Sequence, residues 1–399
     1  MTEGSPKRLR YWVRHVDGEG NWREHPVTGV RAAPPGQDLA LFRAGLAREP
    51  GAVHGMWNFI SAPVDDRLAQ RDQMTVLQRA EFRALALYGM HQQSQTSPMH
   101  RSGTSMGSAL RTLRAGDRYR RDPDEPQGPD VQPNSLDDQV GAAVESTTVT
   151  AFRTRVEGLL TQLQGIGEPV DYDVLLDDLV RFESADGRDQ VRRRWGLDYL
   201  GWKPDSGQRK RPRYWIRYMA GDDAWRRDPA TGLPKPPPGE ELALCRSGPA
   251  REPGTVFRLW RFISTPVDDW SARRGEMTAL QRAEFRALAL YGMHQQSQTS
   301  SMHRRGASMG SALMALRAGD RYRTNPESLD DQVNAAVGST TVTAFRIRLE
   351  GLVTQLRGIG EPVDYDGLLY DLLRFESADG RDRVRRRWGL DYLARKTGV

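Results

Sequence analysis

The chain has 399 residues, of which 38% are hydrophobic and 28% charged, with one cysteine and a formal net charge of +6. No apolar run approaches the ~18 residues of a membrane-spanning helix, and MTEGSPKRLR lacks the apolar core of a signal peptide, so a cytoplasmic protein with no membrane partner is expected. A single cysteine excludes an intrachain disulfide framework or a cysteine-based zinc site, and the positive charge, almost all arginine, points to a phosphate-rich partner.

The second half repeats the first. QRAEFRALALYGMHQQSQTS runs from Gln78 to Ser97 and again from Gln281 to Ser300. The pairs Tyr11/Tyr214, Trp22/Trp225, Trp57/Trp260 and Tyr88/Tyr291 share one offset, and Phe152/Phe345 and Trp195/Trp388 share a smaller one. The offset changes because the first copy reads RDPDEPQGPDVQPN before Ser135, where the second has only TNPE, an insertion suited to an exposed loop. A period this long means duplication of a whole domain and not a solenoid. The expected division is a first domain over 1–200 with an arm at 9–36, a linker over 201–213, and a second domain over 214–399 with an arm at 214–239.

Taken in order, residues 9–36 alternate, carry an Asp-Gly turn signal and end in Pro-Pro-Gly, which predicts a short hairpin or an extended arm. After Gly36 the pattern turns helical. Leu39, Phe42, Arg43 and Leu46 fall on neighbouring helical positions up to the terminator Glu49-Pro50-Gly51. Met56 to Ile60 forms a short apolar piece. Thr75 to Gln93, without proline and apolar around much of its circumference, predicts the central buried helix. A Ser/Thr/Gly loop leads into Met106 to Leu113. The clearest amphipathic stripe is Phe152, Val156, Leu159, Leu160 and Leu163, kept in the second copy as Phe345, Leu349, Leu352, Val353 and Leu356. Gly165 to Pro169 breaks that helix, Asp171 or Asp173 caps the next, and Val191, Trp195 and Tyr199 form the stripe of the last. The reading is all-α: two homologous helical bundles in tandem, each preceded by a short irregular or hairpin-like arm.

No catalytic constellation emerges. His91 and His100, with His294 and His303, lack the spacing of helical zinc ligands and read as structural. Asp171, Asp173, Asp177 and Asp178 read as helix capping and a solvated acidic face more than as a two-metal nuclease site. Gly165 and Gly167 lack the strand and lysine of a phosphate loop, and no serine sits in a GxSxG elbow. Cys245, in the place of Phe42, reads as a small core hydrophobe. The chain is therefore expected to be no enzyme, with no metal, no cofactor and no small-molecule substrate.

Binding residues remain. Arginines at the rims of helical faces are the candidates for nucleic acid: Arg43, Arg111, Arg114, Arg153, Arg155, Arg188, Arg192 and Arg193 in the first copy. The second supplies Arg246, Arg317, Arg346, Arg348, Arg381, Arg385 and Arg386. Guanidinium forks suit phosphate oxygens, while any single one also suits a salt bridge, such as Arg153 with Glu157. Few aromatics interleave with the basic runs, which favours backbone contact over base stacking.

The ordered set A-L-x-R-x-G-L from Ala40, HQQSQ at His91, S-x-G-x-A-L at Ser105, SLDDQV to FRTRVEGLL, EPVDYDVLLDDLVRF and VRRRWGLDYL resembles the CasB family, the small subunit of the type I-E CRISPR Cascade complex. The resemblance covers about 37–200 and 240–393. It implies an all-helical, non-catalytic subunit that packs along the crRNA-bearing backbone subunits, beside the large subunit, and helps hold the target and non-target DNA strands of the R-loop. The alternative that stays open is a structural scaffold whose arginines make protein contacts only. Two features depart from the family: the arms, and the fusion of two copies in one chain. A linker of about thirteen residues makes docking of the second copy intramolecular, at an effective concentration of about millimolar.

Overall fold

A computed structural model describes residues 8–24, 29, 31–116, 135–204, 211–221, 224–248 and 251–393, without the side chains of residues 269, 273 and 323. The insertion after Arg120 lies outside them. In the first copy the helices are α1 (Tyr11–Arg14), α2 (Gly36–Arg43), α3 (Asp66–Ala69), α4 (Val76–His91), α5 (Met106–Ala115), α6 (Ser135–Val144), α7 (Val149–Ile166), α8 (Tyr172–Arg181) and α9 (Ala185–Trp195). In the second they are α10 (Tyr214–Arg217), α11 (Gly239–Arg246), α12 (Asp269–Arg274), α13 (Ala279–Gln295), α14 (Met309–Ala318), α15 (Asp320–Arg323), α16 (Glu327–Val337), α17 (Val342–Ile359), α18 (Tyr365–Arg374) and α19 (Ala378–Leu393). Among the described residues there are isolated β-bridges but no strand, so the fold is all-α. The chain divides into two compact units, Met1–Leu200 with Ala272–Glu276, and Gly201–Ser271 with Met277–Val399.

Local chemistry sets the helix ends. Thr75 accepts from the Gln78 amide while the Gln78 side chain accepts from the Thr75 amide, a reciprocal cap that starts α4, and Thr278 with Gln281 does the same for α13. Thr148 starts α7 and Asp171 starts α8, so of the two aspartates weighed for that cap it is Asp171 that serves. Gly167, at φ 67°, ends α7 in the left-handed conformation that glycine adopts without strain.

In each unit the central helix is α4 or α13, as its composition predicts: Ala80, Phe82, Ala84, Leu85, Leu87 and Tyr88 are all buried. Against it α2 packs closely. A Cβ on Gly89 would stand 2.6 Å from the Phe42 Cβ and 2.9 Å from the Leu39 carbonyl oxygen, so only glycine lets the two helices approach this far. The α7 stripe, Phe152 to Leu163, is fully buried, and Phe152 stacks on Phe182 with centroids 3.9 Å apart beside Trp195. Phe345, Phe375 and Trp388 repeat the arrangement.

The arm departs from its expectation. Hairpin-like pairing is present, with antiparallel bridges Val16 to Trp22 and Glu24 to Arg31, but the arm begins as α1 and is anchored in the core. Tyr11 makes edge contacts with Phe42 and Phe59, and Trp12 lies against Tyr88 and Tyr172. A Tyr-Trp pair is too apolar to be left in water, and the bundle supplies the aromatic slot it fills. Tyr214 and Trp215 are buried in the same way in the second unit.

Candidate nucleic-acid interface

All of the arginines expected to hold nucleic acid lie on helices, and the acceptors around them sort them into groups. The last carbonyls of a helix have no partner within it. At the end of α6, Arg155 Nη1 donates to the Ala142 carbonyl at 2.8 Å and to Ser146 Oγ at 2.5 Å, and Arg192 Nε donates to the Val144 carbonyl at 2.9 Å. At the end of α16, Arg348 Nη1 donates to the Ala335 carbonyl at 2.6 Å, and Arg385 Nε to the Val337 carbonyl at 2.8 Å. Arg188 and Arg381 donate to the carbonyls of Phe182 and Phe375, each at 3.3 Å, just beyond α8 and α18. These cations satisfy orphan acceptors and meet the negative ends of helix dipoles.

Carboxylates hold a second group. Arg114 lies 3.0 Å from Asp137 and over the Tyr199 ring, and Arg317 makes two bonds of 2.9 Å to Asp330. Arg153 pairs with Glu157 at 3.1 Å, the i, i+4 bridge read from the sequence, and Arg346 pairs with Glu350. Arg192 and Arg385 add carboxylate contacts to Asp189 and Asp382. Arg111 donates to the Asp198 carbonyl at 2.7 Å.

In a third group the side chains hold no hydrogen bond or ion pair among the described residues: Arg43 and Arg193 in the first copy, Arg246 and Arg386 in the second, with the Nε atoms of Arg193 and Arg246 buried. Arg386 is exposed and the other three are half-buried. Arg155 and Arg348, although tied to carbonyls, are also exposed. Sequence reasoning missed the capping role of Arg155 and Arg192. The signal for it was that α6 ends without a left-handed glycine, which obliges some other group to serve its carbonyls.

The same cleft opens in both copies between the loop after α2 or α11, the middle of α4 or α13, and the start of α7 or α17. In the first copy Arg48, Phe82, Arg83 and Arg153 line it and its volume is about 220 Å³. In the second, Arg251, Phe285, Arg286 and Arg346 line a cavity of about 30 Å³. Arg83 and Arg286 are held there by Glu183 and Glu376, at 2.9 and 3.1 Å.

The histidines group differently from the sequence-adjacent pair read above. His100 meets Asp171 and Asp173, with one ligand-type atom of each within 4.8 Å of the others, and His303, Asp364 and Asp366 repeat this. Each group already has a protein partner. His100 Nδ1 accepts from the Tyr172 amide at 3.2 Å, Asp171 from the amides of Gly103, Asp173 and Val174, and Asp173 from Arg10 and the Trp12 indole. The cluster ties the arm, the loop before α5 and the start of α8 together. His91 is fully buried with Nδ1 3.0 Å from the Tyr172 hydroxyl, and burial pushes its imidazole down to about 4.

A family model described as CRISPR-associated protein Cse2 matches residues 38–200 and again 241–393. The chain belongs to that family. Membership in the Cse2 family makes it a subunit of the CRISPR Cascade assembly, with two family domains in one chain. A solved structure, CasB from Thermobifida fusca, is similar at 28% identity over 39% of this chain and 85% of that one, with a TM-score of 0.31. A comparison with curated proteins gives no match. Both Cse2-family segments begin after the arms, so the Tyr-Trp pairs that close each core come from outside the matched regions. Among the described residues, no helix is long and apolar enough to cross a membrane.

Proposed function

We propose that this chain is a non-catalytic tandem small subunit of a type I-E Cascade complex that grips nucleic-acid backbone and stabilises the R-loop between crRNA and target DNA. Its partners are the crRNA-bearing backbone subunits, the large subunit, and the target and non-target strands. The observation that carries the reading is the recurrence of the family match over both halves, each with guanidinium groups free of internal partners or exposed: Arg43, Arg155 and Arg193, then Arg246, Arg348 and Arg386. Guide pairing reads sequence in such assemblies, so the protein needs charge and shape rather than base-edge contacts. The domain division proposed is 1–200, a linker over 201–213, and 214–399. Filter binding of the purified chain to single- and double-stranded oligonucleotides across a salt series tests the reading. Affinity that falls steeply with salt supports it, and a flat response or no binding overturns it.

A scaffold reading has one observation in its favour: Arg155, Arg192, Arg348 and Arg385 are committed to helix carbonyls. Charge reversal at Arg43 and Arg246 separates the two. Loss of assembly with unchanged oligonucleotide affinity selects the scaffold.

A further inference from the structure

The two copies serve as controls for each other, and they differ where α8 meets α9 and where α18 meets α19. In the first copy Asp177 accepts from Arg181 Nε at 2.8 Å and from Arg194 Nη1 at 2.9 Å, and Arg181 also reaches Gln190. Those contacts make positions 177, 181, 190 and 194 neighbours on one face. Their counterparts in the second copy are Tyr370, Arg374, Arg383 and Arg387.

The exchange alters the chemistry of the face. Replacing Asp177 by a tyrosine removes a negative charge, and replacing Gln190 by an arginine adds a positive one. Arg374 and Arg383 are exposed and hold no hydrogen bond or ion pair from their side chains among the described residues. Arg387 keeps Asp371, and its side chain is 34% exposed against 10% for Arg194, against which the Gly275 backbone packs in the first unit. Tyr370, 48% exposed, takes the register position of Asp177, so the carboxylate that the first copy holds against Arg181 and Arg194 has no counterpart beside Arg374 and Arg387. The bland account is a tyrosine scattered on a surface, but that account leaves the paired loss of an acid and gain of a base at neighbouring positions without a reason.

An exposed aromatic face ringed by guanidinium groups is the chemistry that holds an unpaired nucleotide: the base stacks on the ring and the flanking phosphates meet the cations. A duplex cannot use it, because its bases are already stacked. We propose that the second copy, and not the first, carries a base-stacking site for a single strand at Tyr370, with Arg374 and Arg383 on the adjacent phosphates. Sequence order conceals the site, since Tyr370 and Arg383 lie on different helices. The inference rests on the nucleic-acid reading above and adds an inequality between the copies.

The test uses the full chain with a labelled single-stranded oligothymidylate and an abasic oligomer of equal length. Tyr370→Ala should weaken oligothymidylate binding on the order of tenfold while leaving the abasic oligomer unchanged, because stacking on an aromatic side chain is lost only where a base exists. Tyr370→Phe should retain the wild-type preference. Arg374→Gln and Arg383→Gln should each lower the salt slope by about one on both oligomers. Wild-type binding to both oligomers that Tyr370→Ala leaves unchanged, or weakens equally, overturns this inference alone. Failure of the wild type to bind either oligomer overturns it together with the broader reading. If Tyr370→Ala loses Cascade assembly while its oligothymidylate affinity stays intact, the face docks protein and the proposal falls.

Discussion

The Trp12 indole donates to the Asp173 carboxylate at 3.0 Å across 161 residues of chain, and Trp215 donates to Asp366 at 3.1 Å in the second copy. This bond places the arm's aromatic pair in the slot between Tyr88 and Tyr172 and ties it to the first turn of α8. Removing the indole leaves a cavity and a carboxylate with one donor fewer. Trp12→Ala should cost the first unit about 3–5 kcal/mol, seen as an earlier unfolding step in urea, with Trp215→Ala acting on the second unit. An unchanged transition would mean that the arm does not belong to the folded core.

Acid should destabilise both units through His91 and His294, which burial pushes down to about 4 from 6.5. Such a group takes its proton first in the unfolded chain. The stability is complete above about pH 6.5 and is lost as pH falls towards about 4, on the order of 3 kcal/mol per histidine at the limit. Asp371, pushed up to about 6 by burial, acts in the opposite sense, adding stability as pH falls through that value. His91→Gln should therefore show a smaller drop in urea midpoint between pH 7 and pH 5 than the wild type. An equal drop would sink the assignment.

Cys245 should resist thiol reagents in the folded state, because it is fully buried and burial pushes its thiol far above neutral pH. A chromogenic disulfide reagent should react only as the second unit unfolds in denaturant. Prompt reaction in native buffer would contradict the packing of α11 on α13.

The sorting of arginines by partner predicts two classes of variant. Arg43→Gln and Arg246→Gln should each lower the salt slope of nucleic-acid binding by about one with thermal stability within about 0.5 kcal/mol of wild type. Arg192→Gln and Arg385→Gln should instead cost about 1–3 kcal/mol, since helix carbonyls lose a charged donor. Parallel melting curves and binding isotherms separate the two classes, and identical behaviour in all four variants would dissolve the distinction.

Helix positions were legible where the information is local. The stripe from Phe152 to Leu163 is periodic over one segment, and Asp171 and Gly167 announce a start and a stop within a few residues of chain. Gly89 was not explained by its neighbours, because its reason is the Phe42 Cβ on another helix. Glu81 was equally opaque. It sits inside an apolar helix because Ser61 and Ala62 bring it their amides at 3.0 and 2.8 Å and Ser61 adds its hydroxyl at 2.6 Å. A carboxylate can be buried only where such donors converge, and those donors come from a loop.

Sequence alone determined the duplication, the helical class, the places of α2, α4, α5, α7, α8 and α9 but not of α1, α3 or α6, and the resemblance to a family of Cascade subunits, since each of these is carried by identity or by periodicity along the chain. Tertiary structure decided which guanidinium groups are committed to helix carbonyls and carboxylates, which are free, and that the arms close the cores. Those outcomes depend on which acceptors folding brings within about 3 Å of each cation, and hydrogen-bonding distance between remote residues is not a property of linear order.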